Sequence, residues 1–133
     1  MARVLVIDDD ELFVKLMCHS LKQKGHEISF ALDGNQGWKI FNGAEFDVVV
    51  CDIVMPEQEG IETIKRMRRL RPDVGIVAIS GGLSVSHATK IDVLDIVQKL
   101  GANATLKKPF QLSELTATVD RVLAAKQSQA QAS

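Results

Sequence analysis

The residues best placed to do chemistry are three carboxylates, Asp8 to Asp10, which follow directly on the apolar residues 4–7. A second apolar run, residues 48–51, ends in Asp52. Runs rich in Val and Ile are typical of strands buried on both faces, and ligands bind where the carboxyl ends of parallel strands meet. Two carboxylates about 4 Å apart repel by ~4 kcal/mol at an effective dielectric of about 20, so the cluster needs compensation. We expect a divalent cation.

The acidic run also fits a simpler interpretation. Acidic residues before an amphipathic segment are typical of a helix N-terminus, where a side chain caps free N–H groups and the charge favours the helix dipole. Taken alone, the run favours this interpretation, and Asp10 is expected to be the helix-terminal residue. The chemical interpretation therefore depends on which residues lie at the ends of the other strands.

Composition indicates one globular domain with no strongly charged partner. The chain has 133 residues, 46% hydrophobic and 25% charged, with a net charge of −1. This balance gives no electrostatic reason to expect nucleic acid or an anionic membrane as partner, and no apolar run is long enough to span a bilayer. Without CxxC spacing or an export signal, Cys18 and Cys51 are expected to be buried thiols in a reducing compartment. We expect a soluble, cytoplasmic protein.

Strand-like and helix-like segments alternate along the chain, which indicates βαβ units and a parallel sheet. Each strand is followed by a helical pattern, with Gly25, Pro72 and Gly101 as helix stops. The segment 126–133 holds Lys, Gln, Ser and Ala without apolar periodicity, and is expected to be a disordered tail after a domain at residues 1–125. The five strands are predicted at residues 3–7, 27–31, 47–51, 75–79 and 104–107.

Basic residues cluster on the predicted third helix, interleaved with apolar ones. This pattern is typical of an amphipathic helix with a solvated face, and we assign it no function. The basic residues are Lys65, Arg66, Arg68, Arg69 and Arg71.

Taken together, these features resemble the receiver domains of two-component response regulators, which are phosphorylated on an aspartate. The resemblance covers residues 2 to about 125, and it implies an α/β fold: a flavodoxin-like, doubly wound five-stranded parallel sheet of order 2-1-3-4-5 with five helices. A standalone receiver of the chemotaxis-messenger kind is expected, because no effector domain follows. The landmarks come in family order, each group at the carboxyl end of a different predicted strand: Asp8-Asp9, Asp52 with Met55-Pro56 and Gly60, Ser80, and Lys108-Pro109-Phe110.

The resemblance implies that Asp52 is the phospho-acceptor, a carboxylate nucleophile that carries the group as an acyl phosphate. It also implies Mg²⁺ as cofactor. Carboxylates and phosphate oxygens are what Mg²⁺ prefers, so Asp9 and Asp52 are expected as direct ligands and Asp8 as a water-mediated one. By resemblance, the backbone carbonyl of Val54 is a further ligand.

Lys108 and Ser80 are then expected to contact the phosphoryl oxygens, and the Lys108-Pro109 peptide is expected to be cis. The implied donor is a histidine kinase or phosphotransfer protein. The expected output surface is formed by the fourth helix, the last strand and the last helix, where a downstream protein or a second copy docks. The protein is not expected to be an enzyme beyond catalysing its own phosphorylation and dephosphorylation.

Two features depart from the family pattern. Three residues before Lys108 the family usually has Tyr or Phe, and here the residue is Thr105. The interval between Ser80 and Lys108 is also long, with the extra length in residues 81–89 and the helix after them. We expect this loop, rather than an aromatic side chain, to transmit the signal.

Two other protein classes fit part of the pattern. Phosphatases of the haloacid dehalogenase type also use an Asp nucleophile on a similar sheet, in a DxDxT motif. Asp8 and Asp10 have that spacing, but Leu12 replaces the required Thr or Val, and there is no cap domain.

The other alternative is a pseudo-receiver, an interaction module that takes no phosphoryl group. Five retained polar residues argue against it: Asp8, Asp9, Asp52, Ser80 and Lys108.

Overall fold

Strands and helices alternate along the chain, as the sequence predicts. The structure, a computed structural model, describes residues 2–54, 59–80 and 93–132. Its strands are β1 (Arg3–Ile7), β2 (Glu27–Ala31), β3 (Val48–Asp52), β4 (Gly75–Ser80) and β5 (Ala104–Lys107). Its helices are α1 (Glu11–Gln23), α2 (Gly34–Gly43), α3 (Glu59–Leu70), α4 (Val93–Lys99) and α5 (Leu112–Ala132).

The strands form one parallel sheet in the order β2-β1-β3-β4-β5, which confirms the predicted topology. Strands β3 and β4 are buried along their whole length, because helices cover both faces of the sheet. The edge strands β2 and β5 are partly exposed. This difference explains why the central strands have the most continuous apolar sequences.

Two apolar layers cover the sheet. Helices α1 and α5 pack on one face, where Met17 and Leu115 join side chains of the central strands. Helices α2, α3 and α4 cover the other face, around Phe41, Ile64 and Val97. Both layers stop at the carboxyl ends of the strands, where apolar residues give way to polar ones.

Strand register brings the predicted site residues to one edge of the sheet. Ile7 of β1 is the partner of Cys51 in β3. Asp8 and Asp52, the residues that follow these two, therefore lie side by side at the ends of the strands. Ser80 at the end of β4 is the partner of Lys107 at the end of β5. Lys108 therefore emerges next to Ser80.

The starts of two helices follow the expected capping chemistry. The carboxylate of Asp10 accepts a hydrogen bond from the N–H of Phe13 at 3.1 Å, which confirms Asp10 as the helix-terminal residue of α1. Asp33 caps α2 in the same way, accepting from the N–H of Gln36 at 2.7 Å. Gly25, with φ +89°, follows the end of α1 in a conformation that side chains rarely adopt.

The last helix is longer than predicted. Helix α5 continues to Ala132, which corrects the expected disordered tail over residues 126–132. Ala and Gln are good helix formers, so the helix continues after its apolar stripe ends. Lys126 also anchors this part, because its Nζ donates a hydrogen bond of 3.0 Å to the carbonyl oxygen of Asp47.

Arg68 corrects the interpretation of the basic cluster as a purely solvated face. Its guanidinium donates to the carbonyl oxygens of Pro72 and Val74, each at 2.7 Å. It also donates to the carbonyl of Gly101 at 3.1 and 2.7 Å, and to Oδ1 of Asn103 at 2.7 Å. Arg68 therefore ties the end of α3 to the turn after α4. The sequence pattern could not show this, because Gly101 and Asn103 lie 33 and 35 positions away in the chain.

Of the other four basic residues, Arg71 also has a structural role. It donates to the carbonyl of Phe41 at 2.8 Å, and its guanidinium lies 4.6 Å from the centroid of the Phe41 ring. Lys65, Arg66 and Arg69 lie at exposed positions, as predicted.

Replacing Arg68 is expected to destabilise the fold. In Arg68→Met the aliphatic part is kept, but four polar acceptors lose their hydrogen bonds from the guanidinium. We therefore expect the free energy of unfolding to fall by about 2 kcal/mol in chemical denaturation. Arg69→Met is the matched control, since Arg69 is an exposed neighbour on the same helix, and its change should stay within ~0.5 kcal/mol. Equal stability of the two variants would show that the Arg68 contacts contribute little.

Several predictions made from the sequence fall on residues outside the described part. Met55, Pro56 and the loop 81–89 are among them. Thr105 is described, and lies half-buried in β5.

Cys18 and Cys51 are free and buried, as predicted. Among the described helices, none combines the length and the hydropathy that crossing a membrane requires.

Candidate functional site

Four polar side chains lie at the carboxyl edge of the sheet, each at or directly after the end of a different strand. Asp8 follows β1, Asp52 ends β3, Ser80 ends β4 and Lys108 follows β5. The first three are buried, with 0%, 3% and 8% of their surface exposed. Buried polar groups need partners, so their presence at one edge indicates a constructed site.

Three carboxylates form the acidic part of the site. Asp8, Asp9 and Asp52 each offer an oxygen atom, and these atoms lie within 4.8 Å of one another. Asp9 is exposed, so the cluster opens to solvent on one side. Hard divalent cations with oxygen ligands match this donor set, and an exposed side leaves room for the waters that Mg²⁺ keeps. The residues present therefore fit the predicted metal.

Lys108 supplies the positive charge of the site. Its Nζ donates to Oδ2 of Asp8 at 3.0 Å and to Oδ2 of Asp52 at 3.2 Å. The backbone N–H of Lys108 donates to the carbonyl of Ser80 at 2.8 Å, which fixes the strand end that carries it. The Lys108-Pro109 peptide is cis, as predicted. The site residues predicted from sequence therefore lie together at one edge of the sheet.

Burial and neighbouring charges shift the pKa values of Asp52 and Lys108. Burial raises the pKa of Asp52 to about 6, and the charge of Asp8 adds to this effect. The hydrogen bond from the N–H of Val54 and the charge and hydrogen bond of Lys108 act in the opposite direction. Burial alone would lower the pKa of Lys108, but its hydrogen bond to Asp8 and the charges of Asp52 and Asp8 raise it. Three carboxylates and one ammonium lie together at this edge, and this charge balance favours a second cation.

Backbone N–H groups orient two of the carboxylates. The N–H of Val54 donates to Oδ1 of Asp52 at 2.8 Å, and the N–H of Asp10 donates to Oδ1 of Asp8 at 2.9 Å. In both residues Oδ2 is left facing Lys108. The Val54 backbone thus lies at the site, while metal ligation by its carbonyl remains a prediction.

Gly60, near the start of α3, allows that helix to approach the end of β3. A Cβ atom at position 60 would lie 2.4 Å from the carbonyl oxygen of Asp52 and 2.4 Å from Cα of Ile53. Both are backbone atoms, so no side-chain rotation could relieve the clash. The sequence pattern marks Gly60 as a landmark, and the structure gives the steric reason.

Sequence reasoning missed one aromatic residue beside the site, Phe13, which packs against the expected landmark Phe110. The Phe13 ring centroid lies 4.8 Å from the ammonium of Lys108. Phe13 and Phe110 pack edge to face, with ring centroids 5.4 Å apart. The available signal was weak, because Phe13 has an ordinary place in the amphipathic pattern of α1. Only its position five residues after Asp8, on the first turn beyond the acidic run, points to the site.

Comparison with known families gives one match over most of the chain. Residues 4–120 match the family model described as response regulator receiver domain. The chain is 31% identical over 122 residues to the DNA-binding transcriptional regulator NtrC of Azospirillum brasilense, covering 92% of this chain and 24% of that protein. It is 32% identical over 121 residues to the response regulator MprA of Mycolicibacterium vanbaalenii, covering 91% of this chain and 50% of that protein. The chain thus spans a quarter to a half of these relatives' length.

Solved structures show the same fold. The CheY-like response regulator receiver domain protein from Methanospirillum hungatei JF-1 superposes with a TM-score of 0.86 at 22% identity, covering 97% of this chain and 98% of that one. The receiver domain of the Francisella response regulator 1452 has a TM-score of 0.79 at 26% identity, with 94% of this chain and 98% of that one covered.

Proposed function

This chain belongs to the response regulator receiver domain family, and on that basis we propose that Asp52 receives the phosphoryl group. As a receiver domain, the chain accepts a phosphoryl group in two-component signal transduction. The observation that carries the assignment to Asp52 is the position of Lys108, whose ammonium lies 3.2 Å from Oδ2 of this buried carboxylate. Asp8 is also buried and lies 3.0 Å from the same ammonium, so the choice of Asp52 rests in addition on the family resemblance, which assigns the acceptor role to the aspartate at the end of β3. Family membership also removes the phosphatase as an alternative.

In the proposed reaction, a carboxylate oxygen of Asp52 attacks the phosphorus of the donor. An O–P bond forms, the bond between phosphorus and the leaving group breaks, and the leaving group keeps that electron pair. The product is an acyl phosphate, with about −1.5 to −2 charge as for phosphorylated side chains generally. Lys108 lies on the Oδ2 side, where its ammonium meets a developing negative charge at a phosphoryl oxygen. Ser80, at the end of the neighbouring strand β4, supplies a hydroxyl group to another phosphoryl oxygen.

Receiver domains generally bind Mg²⁺, and we place the ion at the carboxylates of Asp8, Asp9 and Asp52 with the carbonyl of Val54. When bound, the ion neutralises charge on the transferred group and the carboxylates. The raised pKa of Asp52, caused first by burial, supports a site that needs this compensation. Asp8 is fully buried and held by the N–H of Asp10, so this carboxylate is oriented before any ligand arrives.

Receiver domains interact with histidine kinases or phosphotransfer proteins, and they are typically not enzymes. We place the donor among these proteins, and the output surface on the face made by α4, β5 and α5, where a downstream protein or a second copy docks. The proposed receiver unit spans residues 1–125, with the rest of α5 beyond it. Nucleic acid is not a proposed partner of this unit, because its net charge is near zero. Catalysis is limited to the chain's own phosphorylation and hydrolysis.

Incubation with acetyl phosphate tests the proposed function. The intact mass should increase by one phosphoryl group when Mg²⁺ is present, and should stay unchanged when a chelator removes the metal. Acetyl phosphate replaces the partner protein, so the experiment needs no knowledge of the kinase. Two results together would contradict the proposal: no labelling in the presence of Mg²⁺, and binding of beryllofluoride no tighter than that of inorganic phosphate. The chain would then be a pseudo-receiver.

A further inference from the structure

Among the described residues, two carboxylates and one aromatic ring lie beside the Lys108 ammonium. It lies 3.0 Å from Oδ2 of Asp8, 3.2 Å from Oδ2 of Asp52 and 4.8 Å from the ring centroid of Phe13. The face of an aromatic ring carries partial negative charge and attracts a cation within about 6 Å. We propose that Phe13 is a positioning residue for Lys108, holding its ammonium between Asp8 and Asp52 through the electrostatics of the ring face. The proposal rests on the proposed function of Lys108.

The ring itself is held in place from two sides. Phe110 packs against it at 5.4 Å with an interplanar angle of 64°, the edge-to-face arrangement that aromatic pairs prefer. The N–H of Phe13 donates to the capping carboxylate of Asp10 at 3.1 Å, which fixes the first turn of α1. Because Phe110 lies two residues after Lys108, the two rings connect α1 to the segment that carries the lysine.

The setting makes this contact more than surface packing. The Lys108 side chain is 23% exposed, so its ammonium is partly removed from water, where attraction to a ring is stronger than at an exposed site. Lysine has a flexible four-carbon chain with many rotamers, and the two carboxylates alone restrain this chain incompletely. The ring of Phe13 restricts its rotamers further. The fraction of molecules with the ammonium in reach of Asp52 should therefore rise.

A packing role is the alternative explanation, because Phe13 also contacts the apolar layer between α1, α5 and the sheet. The two roles differ in what they require. Packing needs a side chain of similar size, whereas the proposed role needs a ring whose face is electron-rich. Fluorination separates them, since fluorine atoms withdraw charge from the ring face and change its size little.

The test replaces Phe13 with monofluoro- and trifluorophenylalanine and measures the rate of labelling by acetyl phosphate with Mg²⁺. We expect a graded loss, about five-fold for the trifluoro ring and less for the monofluoro ring, with the unfolding midpoint nearly unchanged. The same substitutions at Phe46, a ring in the apolar layer on the other face of the sheet, are the control and should give no graded series. Equal rates along the Phe13 series, or rates that rise with fluorination, would overturn the proposal.

A second measurement is independent of phosphorylation. A ring face above the lysine shifts the ε-methylene protons of Lys108 upfield, and NMR of the metal-free protein should show this shift disappear in Phe13→Leu. An unchanged Lys108 signal in that variant would overturn the proposal. Absence of labelling in the unsubstituted protein would count instead against the proposed function. The two failures are therefore distinguishable.

Discussion

The Asp52→Asn protein is expected to gain no phosphoryl mass with acetyl phosphate and Mg²⁺, under conditions in which the unsubstituted chain is labelled. An amide lacks the anionic oxygen that attacks phosphorus, and the proposed acceptor oxygen of Asp52 lies 3.2 Å from the Lys108 ammonium. The loss should be complete within detection by intact mass. It is the largest effect expected in this protein.

The fold of the Asn variant should be intact. The amide oxygen can still accept from the N–H of Val54, and relief of the repulsion with Asp8 offsets the lost ion pair with Lys108, which keeps its contact with Asp8. Its unfolding midpoint without metal should therefore be close to that of the unsubstituted protein. Asp73→Asn is the matched control, since Asp73 is exposed at the opposite edge of the sheet, and this variant should be labelled normally. Equal labelling of Asp52→Asn would move the acceptor to another residue.

Gly60→Ala is expected to damage both stability and labelling. The added Cβ would meet the carbonyl oxygen of Asp52 and Cα of Ile53, each at 2.4 Å, so α3 or the end of β3 must move. Overpacking of this kind costs ~3 kcal/mol, and any shift of the β3 end displaces the Asp52 carboxylate relative to Lys108. We expect a loss of about 3 kcal/mol in urea unfolding and at least about ten-fold slower labelling.

Gly43→Ala is the control for a glycine without close neighbours. At this last residue of α2 an added Cβ meets nothing within 4 Å, and alanine is the better helix former. Stability should stay the same or rise by ~0.5–1 kcal/mol, with normal labelling. If Gly60→Ala were as stable and as quickly labelled as Gly43→Ala, the close approach of α3 to β3 would not hold in solution.

The positions of the strands could be predicted from the sequence because burial on both faces leaves a simple signal. Continuous runs of Val and Ile mark β1, β3 and β4. Strands β2 and β5 are predicted because strand-like and helix-like segments alternate along the chain. The site followed from the same signal, since parallel strands end at one edge and the polar residue after each strand must lie there. Asp8, Asp52, Ser80 and Lys108 are predicted by this argument together with the family resemblance.

Other features could not be predicted, for a common physical reason. The contacts of Arg68 with the Gly101 carbonyl and Asn103 join residues 33 and 35 positions apart, and nothing in a local pattern encodes them. The ring of Phe13 beside Lys108 likewise depends on tertiary packing. The extension of α5 was missed because apolar periodicity reports packing, whereas Ala and Gln form helix through intrinsic propensity.

The thiol of Cys51 offers an internal measure of how often the centre of the sheet opens. Cys51 is fully buried and donates to the carbonyl of Asp52 at 3.5 Å. Burial raises its pKa, with the charges of Asp52 and Asp8 adding to the effect, so the native thiol is neither accessible nor ionised. An alkylating reagent can therefore modify Cys51 only in molecules whose third strand has separated from its neighbours. Any ligand that binds the closed form should protect this thiol in proportion to its occupancy, which turns alkylation kinetics into a binding assay.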